Sequence, residues 1–160
     1  MALDIKIKTN TKQISKRYSR LQSKFPKIFD KGLLQAGFHL LDIIRTKTAK
    51  GIDFRDVPFA PYSESYRKQL QREGKPIKVD LFYSGRMLGA LTPSGRTIRK
   101  TGKGKISVGF SNAQMRQRAL FNQVLNEPKR EFFGFNDRTE KIISKQFNRF
   151  IAKEFKKQRL

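Results

Sequence analysis

The stretch from Pro26 to Lys50 constrains this chain more than any other. Phe29, Leu33, Leu34, Ala36, Leu40, Leu41, Ile43 and Ile44 recur there at helical spacing and give one broad apolar face. Gly32 and Gly37 interrupt that face; each weakens a helix relative to alanine but lets a neighbouring element come close. Gly51 supplies the stop. His39 stands inside the helix with no second histidine, cysteine or nucleophile near it in sequence, which reads as a structural residue.

The remaining segments read as short elements around this helix. Leu3, Ile5 and Ile7 alternate with Asp4, Lys6 and Lys8, the period of a half-buried strand. Thr9, Asn10 and Thr11 can cap a helix from Lys12 to Lys24 with Ile14, Tyr18 and Leu21 as its apolar stripe; Pro26 then opens the next helix. After Gly51 comes a loop, "IDFRDVPFAPYSES", and Ser63 caps a short helix, Glu64–Arg72, closed by Gly74. "KPIKVDLFYSG" reads as extended, and Ser84 caps a short helix in "SGRMLGAL". Thr97–Lys100 and Lys105–Phe110 form a hairpin around Gly102-Lys103-Gly104. Asn112 caps a helix reaching Asn126, with Met115, Ala119, Leu120 and Val124 inward. A last helix, Arg138–Lys157, carries Ile143, Phe147, Phe150, Ile151 and Phe155 on one stripe. The expected fold is α+β over residues 1–160 as one domain: a small antiparallel β-sheet packed by a long helix in the N-terminal half and a C-terminal helix. Residues 1–25 form an N-terminal extension of strand plus short basic helix. A chain of 160 residues is long enough for one real core and short for two.

Composition narrows the chemistry. With no cysteine and one histidine, disulfides, thiolate sites and multi-histidine metal centres are excluded. No apolar run approaches the roughly 20 residues of a membrane helix, and the N-terminus lacks the apolar segment of a signal peptide. The expected protein is soluble, made in the cytoplasm and without a membrane partner. The formal net charge is +23. Such a charge repels itself and attracts polyanions or acidic surfaces; it fits contact with nucleic acid, a lysine-rich proteome, or neutralisation inside an assembly.

Candidate catalytic groups are sparse, since Asp and Glu number only 13. Glu73-Gly74-Lys75 matches the acid-x-lysine element of metal-dependent nucleases, but it lies at a helix end and not on the adjacent strands that hold a metal. "TGKGKIS" lacks the G-x-x-x-x-G-K-[ST] spacing of a phosphate loop and joins two strands, so it is a turn. Its Lys103 and Lys105, with Arg96, Arg99 and Lys100, form a basic fingertip able to face DNA or another polyanion. "KREFF" and "KEFKKQRL" mix basic and aromatic residues as single-strand binders do, yet their phenylalanines fit core positions. No enzyme, cofactor or metal site emerges. The densest aromatic stretch is "EPKREFFGFND", residues 127–137, just ahead of the last helix.

Several segments in order resemble a known family. They are the long helix ending at Gly51, "FAPYSESYRKQ", "LFYSGRMLGAL", the strand "KISVGFS", "RALFNQVLN" and "EPKREFFGFND" before a terminal helix. This series resembles the tailed-phage virion morphogenesis proteins, the Mu G-protein-like and neighbouring tail-completion or neck proteins. Phe59 stands where that family often has tryptophan, Tyr62 replaces a leucine, and Ser84 replaces a threonine. Asn122-Gln123 stands where many members carry histidine followed by glutamine or asparagine. The resemblance implies a structural protein of the virion that forms a homo-oligomeric ring at the head–tail junction. Such a ring joins portal-proximal connector proteins to tail proteins and lets DNA pass through its lumen. Phe59, Tyr62, Phe132, Phe133 and Phe135 are then candidate anchors, within the fold or between subunits, and Arg130 a candidate partner for an acidic neighbour. The alternative is a stand-alone basic nucleic-acid-binding protein.

Overall fold

The computed structural model describes residues 10–157, so the alternating segment Leu3–Ile7 lies outside the described residues. The fold is α+β, and its longest element is α1, a continuous helix from Thr11 to Ala49. The expected break at Pro26 does not occur. Proline removes one backbone donor and crowds the preceding turn. Here packing holds the helix on both sides of it: Phe25 meets Phe155 at 5.9 Å between ring centroids, and Phe29 meets Phe147 edge-on at 5.3 Å. Pro26 itself faces solvent.

Those rings belong to the last helix, α5 as numbered along the chain (Asp137–Lys157), which runs antiparallel to α1. Going from Thr139 to Phe155 on α5, the partners on α1 step back from Lys47 to Phe25. A Cβ on Gly32 would lie 2.8 Å from the Phe147 ring, so this glycine sets the approach of the two helices. Phe155 of α5 meets Phe25, and the first turns of α1 lie beyond the described part of α5. Ile14 and Tyr18, on the expected apolar stripe, are exposed.

The next elements bring the rest of the core onto α1. Helix α2 (Glu64–Arg72) begins with Ser63 Oγ accepting from Tyr66 N, and Gly74 closes it with φ of 65°. The segment expected to be extended before Ser84 forms no strand. It bends, with Leu81 at φ of 56°, and Val79 and Leu81 pack against the core. Helix α3 (Arg86–Gly89) opens on Gly85 in the left-handed region and not on a Ser84 side-chain cap; the Phe82 ring lies where a Cβ at position 85 would stand. Strands β1 (Ile98–Gly102) and β2 (Lys105–Val108) pair antiparallel, with Ile98 opposite Val108 and Lys100 opposite Ile106. The hairpin seats on α1 at Gly37, where a Cβ would meet Ile98 at 2.9 Å and Ile106 at 3.0 Å. Both α1 glycines thus mark close approaches, one to each neighbour.

Helix α4 (Ala113–Leu120) starts with Asn112 Oδ1 accepting from Met115 N, then widens into a π-helical turn, Phe121–Leu125. Met115 and Ala119, four residues apart, are buried. Leu120 and Val124, expected inward, are each 49% exposed. Leu120 is a hundred degrees off the buried stripe, and the wider turn rotates Val124 out of phase with it. The core joins Leu41 and Ile44 of α1 to Phe59, Met87, Leu88, Leu91, Ile98, Met115, Ala119 and Phe132.

Candidate assembly surfaces

Residues 127–137 are held by backbone and side-chain bonds before any aromatic contact is considered. Glu127–Pro128 is cis. Arg130 N donates to Asn122 O, and the Gln123 amide grips Phe133 in both directions, Phe133 N to Oε1 at 2.9 Å and Nε2 to Phe133 O at 3.0 Å. Phe54 N donates to Glu131 O, and the Phe54 ring lies against Gly134, where a Cβ would sit 2.9 Å away. Phe132 is 1% exposed and packs with Phe133 and Phe110.

A polar lock fixes the far end. Asn136 Oδ1 accepts from Thr139 N and caps α5, while Asn136 Nδ2 donates to Asp56 Oδ2 at 2.8 Å. Lys47 reaches Asp56 at 2.7 Å and also donates to Phe54 O and Thr139 Oγ1. The Lys47 ammonium, then the Asn136 amide, hold the Asp56 carboxyl below the usual carboxylate range. The chain's α1 end, the 52–58 loop and the start of α5 are thereby tied at one point.

On one side of this segment lies a polar cleft of about 440 Å³, with Tyr62, Tyr66, Tyr83, Arg118, Phe121 and Arg130 in its walls. Arg130 is only 8% exposed. Its Nη2 donates to Ala60 O and Pro61 O, and its guanidinium carbon lies 4.9 Å from the centre of the Tyr62 ring. Its buried Nε has no hydrogen-bond partner. Tyr62 and Tyr66 meet edge to face at 4.9 Å, and burial raises both phenols above their ordinary range, so they stay neutral. At the rim, Glu73 accepts from Lys75 at 2.6 Å, Gln69 at 2.9 Å and Tyr83 at 2.9 Å, which lowers its carboxyl to about 2. Its cationic neighbour Lys75 lies 3.4 Å from the centre of the Tyr83 ring. The Glu73-Gly74-Lys75 triplet is thus a helix-end ion pair.

On the other side lies an apolar groove of about 450 Å³. Ala36, Gly37, Leu40 and Ile44 form its α1 wall, Ile106 and Val108 its β2 wall, and Phe133–Phe135 with Glu140, Ile143 and Ser144 close it. Phe135 stands at its edge, 55% exposed. The π-helical turn adds further exposed apolar side chains, Leu120, Phe121, Val124 and Leu125.

The candidate anchors therefore divide. Phe59 and Phe132 are core residues of this chain, Phe133 is half-buried beside the core, Tyr62 and Arg130 line the cleft, and Phe135 is exposed. Arg96, just ahead of the hairpin, and Arg99, Lys100, Lys103 and Lys105 along it are all exposed. Strand alternation separates two of them: Lys100 shares the α1-facing side with Ile98 and pairs with Asp30, whereas Arg99 faces away and its Nε donates to Arg96 O. Lys47 and Phe54 were not singled out from sequence, and Gln123 was named only as part of the Asn122-Gln123 departure, with no partner assigned. Their partners lie up to 92 residues away, as in Lys47 to Thr139, and no local pattern announces such contacts.

Among the described residues no helix is long and apolar enough to cross a membrane, and no group of three or more His, Cys, Asp or Glu side chains is placed to hold a metal ion. No family model, curated protein or solved structure matches the chain.

Proposed function

We propose that the chain is a non-enzymatic structural virion protein of a tailed bacteriophage, made in the host cytoplasm. In this reading it forms a ring at the head–tail junction, as a neck, tail-completion or tail-terminator protein, joining connector to tail proteins and letting DNA pass. The ordered segments described above supply the family resemblance. The structural observation that carries the reading is exposed apolar surface on a chain of charge +23: Phe135 at the lip of an apolar groove, and the row Leu120, Phe121, Val124 and Leu125. Contiguous apolar patches on a soluble subunit mark interaction sites, and a ring repeats one heterologous contact around its axis. Phage particles purified from a strain lacking the chain should appear as separate heads and tails, restored by supplying it. Intact infectious particles that lack the chain would sink the proposal.

A second reading has its own observation. Arg96, just ahead of the hairpin, and Arg99, Lys103 and Lys105 along it are exposed, suited to phosphate contact, either alone or toward DNA in a ring lumen. Tight duplex binding by the isolated protein that falls steeply with added salt would favour a stand-alone nucleic-acid-binding role.

A further inference from the structure

Among the described residues the apolar groove has an open strand on one wall and no strand to fill it. Gly109 N donates to Thr97 O, which fixes the phase of the ladder: odd-numbered residues of β2 bond to β1, and the backbone groups of Ile106 and Val108 point the other way. Among the described residues the sheet has two strands, so that edge is unpaired. An unpaired edge beside apolar side chains is a template for an added strand. A matching pattern stands in Leu3-Asp4-Ile5-Lys6-Ile7-Lys8, whose apolar residues all fall on one strand face; the similar alternation of Ile77–Leu81 is already used, with Val79 and Leu81 packed against the chain's own core.

Chain geometry decides whose segment it is. From Thr11 to Ala36, the nearest groove residue on α1, the helix advances about 38 Å at roughly 1.5 Å per residue. Ile7 is four residues from Thr11 and reaches at most about 14 Å at ~3.5 Å per residue; even Leu3 reaches only about 28 Å. The segment cannot enter the groove of its own chain. The first turns of α1 lie beyond Lys157, the last described residue of α5. Charge agrees with an arm of this composition: the charged residue on the groove wall is Glu140, and Leu3–Lys8 holds two lysines against one aspartate.

We infer that the groove between α1, β2 and α5 receives residues Leu3–Ile7 of a second copy of this chain, added as a strand to the open edge of β2. This deepens the ring reading, on which it rests only for closure: each subunit gives one arm and accepts another, a heterologous contact that propagates from copy to copy.

The chain contains no cysteine, so introduced thiols report cleanly. Full-length Ile5→Cys protein is mixed with full-length Ser144→Cys protein and oxidised, and Ile5→Cys with Lys68→Cys on α2 serves as the control; both partner sites are exposed. The expected result is a mixed disulfide dimer several-fold above the control, and multimer ladders from the Ile5→Cys/Ser144→Cys double variant. Val108→Cys, on the opposite groove wall, repeats the test independently of any local disturbance at Ser144. Yields equal to the control at both sites, or a double variant that closes on itself as a monomer, would overturn the inference. A closed ring in particles without these cross-links removes the arm and leaves the ring; ladders without a closed ring confirm the arm and remove the ring.

Discussion

Phe132 and Phe135 are three residues apart and occupy opposite environments. Phe132 is 1% exposed, inside a ring cluster whose next residue, Phe133, has its backbone bonded by Gln123; Phe135 is 55% exposed beside an open groove. The segment between them therefore has two sides. Toward the cleft, just ahead of Phe132, Arg130 Nη2 is bound within the chain to the carbonyls of Ala60 and Pro61. Toward the groove, apolar surface is left for something else to cover. A phenylalanine-rich stretch can be core and contact surface at once, and composition alone does not apportion the two.

The largest test of this contrast is Phe132→Ala, which should cost about 3–5 kcal/mol, as truncations of buried phenylalanine do. Denaturant unfolding measures it, and a cost under about 1 kcal/mol would mean that the inner side is not core. Next comes Gln123→Leu, which leaves Phe133 N–H and C=O without their partner and should cost about 1–3 kcal/mol. An unchanged midpoint would show that the segment is held by its rings alone.

The cleft rim predicts a pH effect. Glu73 is lowered to about 2 in the folded chain against an ordinary 4.5, chiefly by its bond to Lys75. A depressed carboxyl stabilises the fold fully above its unfolded value, and that contribution is lost as pH falls from about 4.5 through about 2. Melting temperatures of Glu73→Gln should therefore fall less steeply across that window than those of the parent chain. Parallel profiles would dismiss the ion pair as a contributor. The smallest stability effect belongs to Phe135→Ser, within about 0.5 kcal/mol, because its ring is already in water. Self-association measured by sedimentation should nonetheless weaken, and a variant that associates like the parent would remove Phe135 from the interface.

Much of the fold was legible because its signals are local. Ser63 and Asn112 cap the helices that follow them, Gly51 and Gly74 stop the ones before, and Gly32 and Gly37 mark close approaches. Pro26 misled for a tertiary reason: two aromatic contacts from α5 hold the helix through it. The stripe of Ile14 and Tyr18 was legible as a pattern but its exposure was not, because periodicity does not say what a stripe packs against. The polar lock of Lys47, Asp56 and Asn136 was hidden by sequence distance. The division between Phe132 and Phe135 depends on a groove assembled from three elements far apart in sequence, which no window of residues contains.

The central claim is that this chain works as one of several identical copies around an axis. Under the proposed function, electron-microscopic averaging of phage particles addresses this directly. The account predicts several copies closed into a ring at the head–tail junction. A particle holding the chain as an isolated single copy at that junction would contradict it.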